Sequence, residues 1–324
     1  MNAPPELEPL VRGVCAGSER DVARALSLVE DSRAAFAARA VELQRRLLAQ
    51  TPADRGHRIG ITGPPGVGKS SLCRALVGRL RRSGQSVALL AVDPSSPRSG
   101  GALLGDRARL TLDPGDPGVF VRSMASGGQL GGLARAAGAA VIVLAAAFDA
   151  VLIETTGVGQ SETDVEHVAD TVVLVVQPAS GDVLQFIKAG IMEVPDLFLV
   201  NKADLGQVAE VAERELRTAL LAGGEAAVTP VLRVSAETDV GLDELVLALQ
   251  RHRARLEESG SLIAERRRKA VRWAERLLTL RYGEFLLERS GGADEARRRL
   301  ELLLQQGAVP AEAVDQLARA AGLG

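Results

Sequence analysis

The sequence predicts an α/β fold: a doubly wound, mostly parallel sheet with helical segments at both ends of the chain. Three observations carry this expectation. From residue 57 to about residue 250, short apolar runs alternate with longer stretches of helical periodicity, the rhythm of repeated βαβ units. Several runs, Thr171 to Val176 most clearly, are apolar without alternation, as parallel strands covered on both faces should be. Between the first such run and the first helical stretch stands a glycine-rich loop, Gly63 to Gly68.

In chain order, residues 4 to 50 read as two or three short helices. Ser18-Glu19-Arg20-Asp21 is a helix start, followed by Val22, Ala25, Leu26 and Val29 at helical spacing. Ala34 to Leu48 repeats the pattern, and Thr51-Pro52-Ala53-Asp54 breaks it. Strands are expected at 58–62, 87–93, 118–122, 150–155, 171–177, 196–201 and 230–234. Helices are expected at 69–82, 130–147, 207–222 and 241–256. After residue 257 charge-rich helices take over, with apolar stripes at Val271, Ala274, Leu277, Leu278 and Leu280 and at Leu300, Leu303 and Leu304. Those stripes need burial, on the α/β domain or on a second subunit. The expected organisation is a helical segment at 1–54, an α/β domain at 55–257 and a helical extension at 258–324.

Composition narrows the class. The 324 residues are 46% hydrophobic and 25% charged, ordinary for a globular chain. A net charge of −2 offers no global basic field, so nucleic acid is not an expected partner. Arg266 to Arg268 read as a solvated helix face. Cys15 and Cys73 form no disulfide framework, which fits a reducing cytoplasm. Met1 to Glu8 lack a secretory pattern, and the longest apolar run, Ala139 to Phe148, is about half the length of a bilayer span. No membrane association is expected.

Gly63-Pro64-Pro65-Gly66-Val67-Gly68-Lys69-Ser70 fills every specified position of the G-x-x-x-x-G-K-[ST] phosphate loop, in the required strand-to-helix context. Such a loop turns several backbone N–H groups and a helix N-terminus toward one anion. Lys69 would reach the β- and γ-phosphates of a nucleoside triphosphate, and Ser70 would offer its hydroxyl to Mg²⁺; Ser71 follows in the same turn. Asn201-Lys202-Ala203-Asp204 comes after another apolar run. An Asp204 carboxylate can accept from the ring N–H and the exocyclic amine of guanine, donors that adenine does not place there. The Lys202 stem can cover the base, Asn201 can tie loops together, and Ser235-Ala236 could supply a backbone N–H to the guanine carbonyl. Asp93 and Glu154 at strand ends, with Asp106 beyond Gly100-Gly101, are candidate ligands of the metal sphere, each also readable as a cap or loop acid. Gly157 would sense the γ-phosphate through its N–H. Gln160 stands two positions away from where a water-orienting glutamine is found in Ras-like enzymes, so that role is not carried over, and His167 reads as packing or solvated.

With these residues in place, the chain resembles the MeaB/ArgK-like GTPases. Ala91 to Gly101, with Leu104-Gly105-Asp106, resembles their first switch, and Glu154 to Glu162 their second. Gln177-Pro178 and Ser180 to Lys188 resemble the third switch that marks the family. The resemblance implies a Mg²⁺-dependent GTPase that binds GTP and GDP on a P-loop NTPase fold. It also implies a chaperone for an adenosylcobalamin-dependent acyl-CoA mutase, gating its cofactor loading, protection and reactivation. It implies a homodimer held by the C-terminal extension, and a switch or partner role for Gln185 and Lys188. In a chain whose only lysines are Lys69, Lys188, Lys202 and Lys269, Lys188 stands out independently. The competing readings are a nickel-type metal-insertion GTPase, which three histidines and no Cys-x-x-Cys disfavour, and a nucleotide-binding adaptor that does not hydrolyse.

Overall fold

Among the described residues the apolar runs form one seven-stranded sheet in which every pairing is parallel. In this computed structural model the described residues are 6–31, 33–93, 115–125, 136–155, 164–178, 194–222 and 229–323. Helices α1 (Leu7–Cys15), α2 (Glu19–Glu30) and α3 (Ala34–Gln50) come first. Ser18 caps α2, its hydroxyl accepting from the Asp21 N–H at 3.4 Å. Then follow β1 (His57–Thr62), α4 (Lys69–Arg82), β2 (Val87–Asp93), β3 (Val119–Ala125), α5 (Ala137–Ala147), β4 (Ala150–Thr155), β5 (Thr171–Val176), β6 (Leu197–Val200), α6 (Gln207–Ala222), β7 (Val231–Arg233) and α7 (Leu242–Glu258). The chain closes with α8 (Ser261–Arg289, kinked at Gly283), α9 (Ala293–Gln305) and α10 (Pro310–Ala320).

The described residues divide into two compact units. One draws on Met1–Arg55, Gly138–Ala147 and Gly260–Gly324, the other on Gly56–Ala137 and Phe148–Ser259. In the second unit the strand order is β3-β2-β4-β1-β5-β6-β7, which puts β1 between β4 and β5. The two-residue period of a strand explains the layers. Val173 and Val175 of β5 join Ile59, Ile61, Leu72 and Leu245 on one face. Leu174 and Val176 join Phe198, Ala212 and Leu216 on the other. Both faces of the central strands are therefore apolar, which is why their sequences do not alternate.

In the first unit α8 packs on α9 and α10. Ala274, Leu277, Leu278 and Leu300 of the apolar stripes are buried within this unit. Arg45 of α3 pairs with Glu312 of α10 at 2.6 Å. Of the arginine run, Arg267 and Arg268 are exposed as expected, but Arg266 is not simply solvated: it donates to the Ala53 carbonyl at 2.6 Å. Among the described residues, no helix is long and apolar enough to cross a membrane.

Element boundaries shift where the environment overrides the local pattern. β3 runs on to Ala125, past the polar Arg122 and Ser123, because among the described residues it pairs with β2 alone and need not be apolar on every side. His167 lies in a short 3₁₀ turn, Val165–His167.

At the amino-terminal ends of the central strands, the fully buried Thr171 hydroxyl joins two histidines. Its Oγ1 lies 2.8 Å from His57 Nε2 and 2.8 Å from His252 Nδ1, and His252 Nε2 lies 3.2 Å from Asp196 Oδ1. With Nε2–H of His252 facing the carboxylate, its Nδ1 accepts from Thr171, whose oxygen accepts from His57. Thr171→Val keeps the shape and removes the bridge. It should cost about 1–3 kcal/mol of stability, read as a lower denaturation midpoint, and an unchanged midpoint would show the bridge to be inert.

Candidate functional site

β1 brings the chain to Thr62 in the middle of the sheet, and the loop that follows is shaped by its neighbours. Gly63 has φ +141°, and a Cβ there would stand 2.1 Å from the Val175 carbonyl oxygen of β5. Gly68 caps α4 at φ +93°, where a Cβ would lie 2.5 Å from Asn201 Nδ2. Pro65 and Gly66 are exposed at the apex, while the Val67 side chain is buried in the core. Lys69, only 6% exposed, folds over the loop and donates to the carbonyls of Gly63 at 2.7 Å and Pro64 at 2.8 Å. The first-turn N–H groups of α4 have no partners within the helix. Ser71 accepts from Arg74 Nη2 at 3.1 Å.

Ser70, exposed at the start of α4, donates its hydroxyl to Glu154 Oε1. Glu154 is 8% exposed near the end of β4, level with Ile61 of β1 and Ala91 of β2. Beside it the Thr155 hydroxyl donates to the Thr62 hydroxyl at 3.0 Å, tying β4 to β1. A hydroxyl and a carboxylate brought together at a phosphate loop are the donor set of a hard divalent cation. Asp93 ends β2 in the same sheet; its side chain, like Asp106, Gly157, Gln160, Gln185 and Lys188, lies outside the described residues. Beneath the loop Cys73 is fully buried, and burial, reinforced by Glu154, pushes its thiol well above the usual range while Lys69 opposes the shift.

The second motif leaves the sheet two strands away from β1. Asn201 is buried, and its Nδ2 donates to the Val67 carbonyl at 2.8 Å, binding this loop to the phosphate loop. Backbone bonds fix its place: Asn201 N–H to the Val176 carbonyl at 2.9 Å, and Ala203 N–H to the Val234 carbonyl at 3.0 Å. Lys202, at φ +60°, donates to the Gly66 carbonyl at 3.2 Å and to Gln177 Oε1 at 2.6 Å. Of the Ser235-Ala236 pair, the Ser235 N–H is taken by the Val240 carbonyl at 2.9 Å in closing its own turn. The Ala236 N–H makes a long bond, 3.4 Å, to Asn201 Oδ1 and is the one of the two that could face a base carbonyl. Thus the carboxyl ends of β1, β4, β5 and β6, and the loop after β7, all contribute to one edge of the sheet, where open α/β sheets bind their ligands.

That edge carries a phosphate loop joined by hydrogen bonds to an Asn-Lys-x-Asp loop, and comparison with known proteins agrees. The model of the methylmalonyl-CoA mutase-associated GTPase MeaB family matches residues 22–286. The chain belongs to the MeaB family. A probable GTPase of Mycobacterium tuberculosis is 42% identical over 84% of this chain and 82% of its own. The mitochondrial methylmalonic aciduria type A homolog of Mus musculus is 34% identical over 84% of this chain and 69% of its own. A crystal structure described as LAO/AO transport system kinase covers 99% of both chains with a TM-score of 0.70 at 26% identity. This MeaB-family chain is a GTPase and binds guanine nucleotide on a P-loop NTPase fold.

Sequence reasoning about this MeaB-family site named Ser235 and Gln177 but missed the contacts that their side chains make. Ser235 acts through its hydroxyl, which donates to Asp204 Oδ1 at 2.6 Å. Gln177 meets Lys202. Both are polar residues just beyond strand ends, and that position is the signal that could have pointed to these contacts.

Proposed function

We propose that this chain is a Mg²⁺-dependent GTPase that serves as the chaperone of an adenosylcobalamin-dependent acyl-CoA mutase, gating its cofactor loading, protection and reactivation. The observation that carries this reading is the family match across residues 22–286, a family described by its association with methylmalonyl-CoA mutase. In this reading the GTPase domain is 55–257, residues 1–54 are its helical lead, and 258–324 hold a homodimer together. A cytoplasmic location goes with it, in keeping with the free Cys15 and Cys73.

Ser70 and Glu154, which already meet, would hold Mg²⁺, with Asp93 and Asp106 assigned to the same sphere. Bound there, the metal would supply positive charge against the phosphate oxygens. Lys69 would exchange the Gly63 and Pro64 carbonyls for oxygens of the β- and γ-phosphates, stabilising the charge that builds up as water displaces GDP from the γ-phosphorus. The N–H groups of Gly66 to Ser71 would line the phosphates, and that of Gly157 would face the γ-phosphate. Asp204, held by Ser235, would read guanine, with Ala236 behind it. Gln185 and Lys188 are assigned to the switch that answers the mutase.

Hydrolysis of GTP by the purified protein, with and without each candidate acyl-CoA mutase and with ATP as control, tests the reading. One mutase should accelerate turnover at least about tenfold, as completion of a charge-stabilising site would. Turnover indifferent to every mutase would leave a GTPase and reject the chaperone role.

A further inference from the structure

We propose that Gln177 is a positioning residue for guanine-nucleotide binding, acting by holding the Lys202 ammonium against the phosphate loop. Gln177 is the first residue past β5 and is partly buried. Its Oε1 accepts from Lys202 Nζ at 2.6 Å, and the same ammonium donates to the Gly66 carbonyl at 3.2 Å. An ammonium has donors and no acceptor, so the amide must present its oxygen to it. One side chain thereby ties the end of β5, the loop after β6 and the apex of the phosphate loop, which in sequence lie 25 and 136 residues from Lys202.

Two features make this a device for placing a charge. Lys202 holds φ +60°, a backbone conformation that non-glycine residues seldom adopt, beside an Asn201 whose N–H is already bound to the Val176 carbonyl. The backbone is thus fixed and only the long lysine stem is left to be aimed. The acceptor that aims it is the amide oxygen of Gln177, held 2.6 Å from the ammonium just past the end of β5. The chain runs from Gln177 through Pro178 into the segment that resembles the third switch, so the same bond joins the start of that segment to the guanine loop.

The inference rests on the guanine-loop reading given above, and the test separates the two. Dissociation of fluorescent GDP and steady-state GTP hydrolysis are measured for the full-length wild type, Gln177→Met, Gln177→Glu, Lys202→Ala and the Met/Ala double variant, each checked for an unchanged circular dichroism spectrum. Gln177→Met, which keeps the length and loses the acceptor, should speed GDP dissociation about tenfold and raise KM for GTP alike, with kcat moved less than about threefold, the scale of a hydrogen bond to a charged group. Gln177→Glu, which keeps an acceptor, should stay within about threefold of wild type, and Gln177→Met should add nothing to Lys202→Ala. Equal loosening by Glu and Met, full additivity in the double variant, or wild-type dissociation in Gln177→Met would each overturn the inference. Wild-type dissociation in Lys202→Ala would overturn the guanine-loop reading itself.

Discussion

Lys69→Ala is expected to abolish productive GTP turnover, lowering single-turnover hydrolysis by about 10³-fold or more. Removing one donor to developing charge in a desolvated site costs about 10²–10³ in rate, and this donor is a full cation. The side chain is nearly buried and is committed to the Gly63 and Pro64 carbonyls. Truncation therefore also strips those two carbonyls of their partner, at about 1–3 kcal/mol for each one that water does not reach. The expected pattern is a collapse of GTP binding and hydrolysis together with a modest fall in the denaturation midpoint. Hydrolysis and fluorescent-GTP binding at wild-type levels would dismiss Lys69 and the loop around it as the phosphate site. Arginine should not rescue, because its planar fork does not match a site shaped around a compact ammonium.

Asp204→Asn should cost about 10²-fold or more of the preference for GTP over ATP, since a carboxylate proposed to accept two guanine donors would become half a donor itself. The structure sharpens this expectation. Ser235 Oγ donates to Asp204 Oδ1 at 2.6 Å, and an asparagine would keep that bond only by turning its carbonyl toward Ser235. Its amide nitrogen would then point toward the base. Xanthine, which carries a carbonyl where guanine has its exocyclic amine, should gain in proportion. Competition of GTP, ATP and xanthosine triphosphate for the variant measures this directly. Undiminished selectivity for GTP would remove Asp204 from base recognition, and Asp204→Asn combined with Ser235→Ala should blur the gain for xanthine.

Much of the fold was legible because its signals are local. The run Thr171 to Val176 is apolar on both faces, so a strand buried in mid-sheet was its only economical use, and β5 is that strand. Lys69 to Arg82 kept helical spacing to its last turn, and α4 has those bounds. The strand expected at 118–122 extends to Ala125, because its pairing with β2 continues through Ser123, Met124 and Ala125, a register that no local pattern displays. The stripes of α8 and α9 were visible as stripes, but what covers them depended on how the last three helices fold together. At the site, the phosphate loop and the Asn-Lys-x-Asp loop were each readable from a few contiguous residues, whereas the bonds between them were not.

The sequence by itself determined the chemistry of contiguous stretches: a glycine loop that can wrap phosphate, a carboxylate suited to guanine, and strands meant for the interior. Only the tertiary structure decided which distant groups face one another. It set the Ser70 hydroxyl against Glu154, Asn201 against Val67, Gln177 against Lys202, and Thr171 between His57 and His252. It also took the Ser235 N–H into a turn and gave the Ser235 hydroxyl to Asp204. The physical reason is the strand order, β3-β2-β4-β1-β5-β6-β7, which places side by side strands that the chain visits far apart. Side-chain pairing across such neighbours leaves no periodicity or spacing in the sequence, because it is created by the folding of the sheet.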